Sequence, residues 1–517
     1  MNSKKSDKQL YQQLRGRSCE QLWNDDVPQF DKLLPSQRLQ HVALVRVVGV
    51  VFSESGTEEQ KQKAKDWLRG LLNDPDEKIR RYAMNALPKL RGGVKEEADL
   101  LKLLQNTTGA REKKYLGQAL AKIGGVATLE VIEKQKDKAL FQTQLKVKAG
   151  LLRNQAPSTI KTSAILSDFS DLRIHLHGRR GLEIFVKDEV EDYIRRHSQF
   201  RILDVQDGLV TIAPIASFSI GDIYSLRCFG NMGFVLGTIP NQPESRFVES
   251  LAKLVVSPLS QCLFKVFTQG SLRYRFDFAA GGHQRGVVRQ ASSRAFALCP
   301  NILNDAYHAP WTIEIFSSGN FSCIELMPKL APDPRFSYRQ KDVPAASHPP
   351  LAASLARLGG CKNEDIVWDP FCGSGLELIE RGLLGGSPVI FGSDLSAEAI
   401  EITKKNFAAA NIKGIPPQFT CCDFRDFPKI QGLGANSVSL IITNPPLGKR
   451  VPIPNLQGLI NDLFRIAGNV LKPGGRLVLS NPFRNMRCPV SSLKMKLHTP
   501  VDYVGFDCYI EKYVKER

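Results

Sequence analysis

Apolar residues in the first third of the chain recur with a helical period. Within residues 74–92, Ile79, Ala83, Ala86, Leu87 and Leu90 share one helical face, opened by acidic residues and closed by Gly92. A shift of 33 residues finds the pattern again, with Tyr82, Ala86, Leu87, Leu90 and Gly92 matched by Tyr115, Ala119, Leu120, Ile123 and Gly125. A helical unit of that length cannot bury its apolar face alone, so the spacing predicts copies stacked as a short solenoid, with an ordinary helical bundle as the alternative. From about Ser158 the period changes to two, in 172–177 and 209–213, and Gly, Pro and Ser become frequent, which predicts an α+β region. Residues 331–335 and 342–350 are rich in proline and read as a linker. From Asp365 onward strands alternate with helices: strands at 366–369, 389–394, 419–423, 439–443 and 476–480, the last after a turn at 471–475. Such alternation predicts a mostly parallel sheet.

Composition narrows this picture. At 517 residues the chain is long enough for several domains, and 70 Lys+Arg against 52 Asp+Glu leave +18, which points to a polyanionic partner. The first 150 residues hold 28 Lys+Arg and 19 Asp+Glu, so half of the excess, +9, lies in the helical region. The longest apolar run, residues 41–52, contains Arg46 and is too short to span a bilayer, so no membrane association is expected. The first residues are basic without an apolar core behind them, which argues against a secretory signal and leaves organellar import open. Eleven cysteines without a Cys-x-x-Cys pair read as reduced thiols in an intracellular protein of the cytoplasm or nucleus, with no disulfide framework and no metal site.

The chemistry is concentrated in the last third. The first strand delivers Asp369 and the loop Asp369-Pro-Phe-Cys-Gly-Ser-Gly375, which opens a helix. Small residues there let a ligand approach the backbone and meet helix N-terminal N–H groups. The second strand ends in Asp394, 19 residues after Gly375, where a carboxylate can take both hydroxyls of a ribose, although Asp394 also precedes a helix capped by Ser396. The third delivers Asp423, a candidate acceptor for an adenine amine or a plain turn aspartate. The fourth delivers Asn444-Pro-Pro-Leu-Gly-Lys-Arg450.

Asp-Pro-Phe-Cys-Gly-Ser-Gly followed by Asn-Pro-Pro resembles the class I S-adenosylmethionine-dependent amino-methyltransferases, and more narrowly the THUMP-associated enzymes that methylate guanine N2 in tRNA or rRNA. The segment Phe336-Ser-Tyr-Arg339, then His348-Pro-Pro-Leu, is similar to the approach to the catalytic domain in those enzymes. Gly181-Leu-Glu and Leu226-Arg look like segments of their RNA-binding module, and the N-terminal repeats resemble HEAT repeats. The resemblance implies five regions: a basic segment at 1–39, HEAT-like repeats at 40–157, a THUMP-like module at 158–330, a linker at 331–350, and a Rossmann-like methyltransferase with a seven-stranded, mostly parallel sheet at 351–517. It implies S-adenosylmethionine held by Asp369, Phe371, Cys372, Gly373, Ser374, Gly375, Asp394, Leu395, Asp423, Phe424 and Asn444. Catalysis falls to Asn444, Pro445, Pro446 and Leu447.

Asn-Pro-Pro suits a conjugated amine because the asparagine oxygen and the first proline carbonyl can each accept one N–H, turning the nitrogen lone pair toward the methyl donor. No dedicated base is then required. Leu447 stands where the family has Tyr or Phe, which removes a stacking face. Phe483 is a candidate substitute, though a core position suits it better. Tyr338 is a candidate to close over cofactor or RNA. Arg339, Lys449 and Arg450 are candidate RNA contacts, while Cys372 and His348 read as structural or loop residues. The expected activity is methylation of guanosine N2, with tRNA as first substrate and a small activating protein as a further partner. The alternatives are rRNA or snRNA guanine-N2, adenine-N6, or a non-catalytic RNA-binding protein.

Overall fold

The computed structural model describes residues 2–516 except 168, 170, 283, 345, 387–388, 413–416, 449–452 and 504–506, and excludes the side chains of 2–6 and 507. The chain forms two compact units, one of residues 1–157 with 270–273 and 289–305, the other of 158–269, 274–288 and 306–517.

The first unit is helical up to Arg153. Ile79, Ala83, Ala86, Leu87 and Leu90 are all buried, as the periodicity requires. The helix itself stops at Ala86 and continues as a 3-10 turn, Leu87–Leu90, because Pro88 has no N–H for another α-helical bond. Residues 1–39 are not a separate basic segment: Leu14, Cys19, Leu22, Val27 and Phe30 join the same core as Leu87 and Leu120. Helices one apart in sequence are stitched by ion pairs, Arg69 to Asp99 at 2.6 Å and Arg80 to Glu112 at 2.6 Å. Buried Glu97 accepts from the backbone of Gly125 and Thr128. These two arginines are therefore committed to ion pairs inside the unit.

The second unit holds two large sheets and two short two-stranded ones. The first runs in the order Leu272–Phe278, Trp311–Ser318, Phe321–Pro328, Asn231–Pro240, Ile174–His177, Leu209–Pro214, Phe200–Gln206, antiparallel except for its first pair. The segment expected as a linker is instead a buried strap. Arg335 reaches the carbonyls of Phe229 and Gly230 at 2.8 and 2.7 Å, and Phe336 and Tyr338 are buried. Tyr338 donates to Glu380 at 2.5 Å, and Arg227 pairs with the same carboxylate at 2.7 Å. Pro/Ser composition alone could not reveal this anchoring.

The second sheet comprises β1 (Ile366–Asp369), β2 (Val389–Asp394), β3 (Pro417–Cys421), β4 (Val438–Thr443), β5 (Leu471–Asn481), β6 (Leu493–Asp502) and β7 (Asp507–Lys515). Their order is β3-β2-β1-β4-β5-β7-β6. The first five are parallel, and β7 runs antiparallel to both β5 and β6. Helices α1 (Pro349–Gly359), α2 (Leu376–Leu383), α3 (Ala397–Ala409) and α4 (Leu456–Val470) cross between strands. The central strands β1 and β4 are buried on both faces and read as continuous apolar runs for that reason. The expected turn at 471–475 lies within β5 as an irregularity in its pairing with β4. No single helix among the described residues is long and apolar enough to cross a membrane.

Candidate active site

The order of strands reverses between β1 and β4, where an open α/β sheet leaves a crevice beyond its strand ends. A cavity of about 500 Å³ lies there. Phe371, Cys372, Gly373 and Ser374 of the loop after β1 line it, with Asp394 and Leu395 after β2 and Asp423 and Phe424 after β3. Asn444, Pro445, Pro446 and Leu447 after β4 complete the wall. Gly375 stands behind the loop at φ +85°, and a Cβ there would come within 2.8 Å of the Thr403 side chain, so the turn into α2 requires glycine.

Asp369 is fully buried. Its Oδ1 accepts from Thr443 Oγ1 at 2.6 Å and Phe371 N at 3.0 Å, while Oδ2 has no partner. Burial first, then the neighbouring charges of Glu377 and Asp394, push its carboxyl well above the ordinary range, against the pull of those two hydrogen bonds. Glu377, raised chiefly by burial, accepts from Ser347 Oγ. Two buried carboxyls beside a glycine loop form a pocket that favours a cation. Asp394 accepts from Gly373 N at 3.0 Å and Ser396 N at 2.9 Å, so it both braces the loop and faces the cavity.

Asn444 donates from Nδ2 to Ser347 Oγ at 2.8 Å, and Ser347 in turn donates to Glu377. The relay pins the amide by its nitrogen and leaves Oδ1 buried without a partner. Pro445 and Pro446 stiffen the backbone beside it. Sequence reading missed Glu377, Ser347 and Thr443. Two of them adjoin motifs, Glu377 two residues after Gly375 and Thr443 just before Asn444, and that adjacency is the signal available. Arg179 also lines the cavity, arriving from the other sheet, with its guanidinium 5.4 Å from the Tyr503 ring; nothing local to residue 179 announces this.

The remaining candidates fall as follows. Asp423 lines the cavity but also caps the turn after β3 and pairs with Arg425 at 3.1 Å. Arg339 is exposed and pairs with Asp342. Tyr338 is buried against Glu380 and does not reach the cavity lining. Phe483 packs on the hydrophobic core beside β5, so it does not replace the missing aromatic. Lys449 and Arg450 lie outside the described residues. Cys372 is buried, and burial raises its thiol well above the usual value, which removes it as a nucleophile. His348 stands at the rim. The residue is exposed; the atoms packed around its ring, then the charges of Arg179, Arg339 and Arg335, lower its pKa to about 4.

A glycine-loop crossover from β1, an acid at the tip of β2 and an antiparallel β7 define a methyltransferase of class I. Residues 337–508 match the RMKL-like methyltransferase domain of the UPF0020 family. A protein of Methanothermococcus thermolithotrophicus, named a probable tRNA (guanine(10)-N2)-dimethyltransferase, is 31% identical over 134 residues, covering 25% of this chain and 78% of that protein. The chain thus belongs to the RMKL-like methyltransferase family. The tRNA (guanine(10)-N2)-dimethyltransferase of Methanothermobacter thermautotrophicus is 28% identical over 185 residues, 35% of this chain and 49% of that one. That of Methanocaldococcus jannaschii is 29% identical over 140 residues, with 27% and 38% covered. The chain therefore spans about half or less of these two relatives. TrmN from Thermus thermophilus shares the fold at TM-score 0.50 and 19% identity, over 66% of this chain and 99% of that one. A possible methylase from Clostridium difficile 630 does so at 0.51 and 17%, over 67% and 98%.

The site fits S-adenosylmethionine. Asp369 Oδ2 is a buried acceptor without a partner, and Gly373 and Gly375, both at positive φ, shape the loop next to it.

Proposed function

We propose that the protein methylates the exocyclic N2 amine of guanosine in tRNA, using S-adenosylmethionine. The observation that carries this reading is the pinned amide of Asn444, a residue of the cavity lining whose oxygen has no partner and which directly follows Thr443, the donor to Asp369. S-adenosylmethionine, when bound, supplies a methyl group on a sulfonium. Asp369 would hold its ammonium, Asp394 its ribose, and Asp423 with Phe424 its base. Asn444 Oδ1 and the Pro445 carbonyl accept the two N–H groups of the target amine and hold its lone pair toward the methyl. Positioning and fixed dipoles supply the acceleration. The methylated nitrogen is then a strongly acidic cation that gives its proton to water, so His348 is not needed as a base.

The relatives' names support tRNA guanine-N2 as the target. Two solved structures are matched nearly end to end by two thirds of this chain, which supports a folded module in front of the catalytic domain; the Gly181-Leu-Glu and Leu226-Arg segments read it as THUMP-like. The 33-residue spacing supports HEAT-like repeats in the first unit. A groove there lined by Lys113, Lys114 and Lys146 offers charge for phosphates, which position RNA without reading its sequence. Incubation of the full chain with labelled S-adenosylmethionine and tRNA, followed by nucleoside mass spectrometry, is expected to give N2-methylguanosine. Label on adenosine, or none while cofactor binds, overturns the reading.

Leu447 lines the cavity without offering a ring. Leu447→Tyr is expected to lower the KM for RNA about 5-fold or more, since stacking on one base contributes about 1–3 kcal/mol. An unchanged KM would mean that the base is not stacked there.

A further inference from the structure

A second constellation lies away from the transfer site, on the first sheet of the second unit. His175 and His177 are two residues apart on one strand, so both rings leave the same side, while Ile174 and Leu176 fill the core side. Cys323 and Glu325 lie on the strand Phe321–Pro328, separated from the histidines by one intervening strand. That strand carries Gly233, where a Cβ would fall 2.1 Å from Glu325 Oε2, so only a missing side chain lets the carboxylate reach across. Glu325 is 1% exposed. Its Oε1 is 2.6 Å from His175 Nδ1 and its Oε2 is 2.7 Å from His177 Nε2. Cys323 Sγ is 3.9 Å from Oε1. The donor atoms of His175, Cys323 and Glu325 all lie within 4.8 Å of one another, and no other such group is found among the described residues.

We propose that His175, Cys323 and Glu325 form a binding site for a divalent transition metal of the zinc type. The donor set is an imidazole nitrogen, a sulfur and a carboxylate oxygen, which suits zinc and disfavours magnesium or calcium. A His–Glu–His hydrogen-bonded clamp accounts for both rings without a thiol; the Cys323 sulfur, within reach of the oxygen that His175 holds, is the donor that a metal would use. His177 completes the arrangement from the other oxygen: it fixes the carboxylate, and stacking on Phe316 at 4.8 Å and 10° fixes its own ring. The metal would tie together two strands that are not sheet neighbours. The strand it grips runs directly from His177 through Gly178 into Arg179, the residue this sheet sends to the transfer cavity. The absence of a Cys-x-x-Cys pair gave no warning, because the ligands come from positions about 150 residues apart.

The test uses the full chain stripped with a chelator and then titrated with Zn²⁺ alone. Calorimetry and metal analysis are expected to show one equivalent bound, with affinity reduced at least about 10-fold in Cys323→Ser and in His175→Ala. Co²⁺ in place of Zn²⁺ should give thiolate charge-transfer absorption that Cys323→Ser abolishes. Circular dichroism and binding of S-adenosylhomocysteine report whether each variant has kept its fold. No uptake by the wild-type chain overturns the proposal, as does equal uptake by wild type and folded Cys323→Ser without a cobalt–thiolate band.

Discussion

Asn444→Ala is expected to lower methyl transfer to RNA about 10²–10³-fold at saturating cofactor, while affinity for S-adenosylhomocysteine stays within a few-fold of wild type. The reasoning starts from what the side chain touches. Its Nδ2 is spent on Ser347, and Ser347 on Glu377, so the amide cannot rotate to offer its nitrogen. The remaining oxygen has no partner in the protein. Alanine removes that acceptor, leaves the backbone of Pro445 in place and spares Asp369 and the glycine loop. The amine would then keep its lone pair conjugated into the ring, so the loss should fall on kcat and kcat/KM alike, as for an interaction made only in the transition state. Single-turnover assays with tRNA, beside calorimetry with S-adenosylhomocysteine, separate the two. Undiminished transfer would show that Asn444 does not orient the amine. A parallel loss of cofactor affinity would place its main role in holding the cofactor. Ser347→Ala should produce a milder version, because it frees the amide without deleting it.

The parts of this site that were legible in the sequence are those carried by a few consecutive residues. Asp369 with its glycine loop, Asp394 and Asn444-Pro-Pro each sit at the end of an apolar run, and the sheet brings those ends to one edge whatever the helices between them do. Glu377 and Ser347 were invisible as a relay because Ser347 lies 97 residues before Asn444 in sequence. Arg179 is more distant still and reaches the cavity only because the two large sheets of the second unit share a packed boundary, where Asp502 N donates to Arg180 O. The strap around Arg335 was misread for a different reason. Proline and serine are frequent wherever regular structure is absent, and composition does not distinguish a loose connection from one whose arginine is buried against carbonyls. The same holds for residues 1–39, where charged residues outside mask the buried apolar positions of short helices.

Asp365→Ala should be the most damaging single change to the stability of the catalytic domain, costing about 3–5 kcal/mol. Asp365 lies just before β1 with its side chain 2% exposed. Its Oδ2 accepts from Arg381 at 2.8 Å, from Arg476 at 2.7 Å and from Lys362 N at 3.1 Å. The two guanidiniums come from α2 and β5 and are themselves 0% and 6% exposed, so the carboxylate removed by alanine leaves two buried cations facing each other. Burial alone would raise the Asp365 pKa, but Arg381, Arg476 and the Lys362 N–H outweigh it and hold the carboxyl below its ordinary value. With the folded pKa depressed, the stabilisation is fully present above the unfolded value of about 3.9 and is lost as pH falls through the folded value. The gap between wild type and variant should therefore be wide at neutral pH and narrow in strong acid. Hydrogen exchange at Val367 and Leu477 reads the opening of β1 and β5 locally, avoiding the assumption that two units unfold together. A triple change, Asp365→Leu with Arg381→Leu and Arg476→Met, should recover most of the loss, because replacing a whole buried ion cluster by apolar residues is nearly neutral. If Asp365→Ala leaves exchange at these amides unaltered, the cluster is not what ties the start of β1 to α2 and β5.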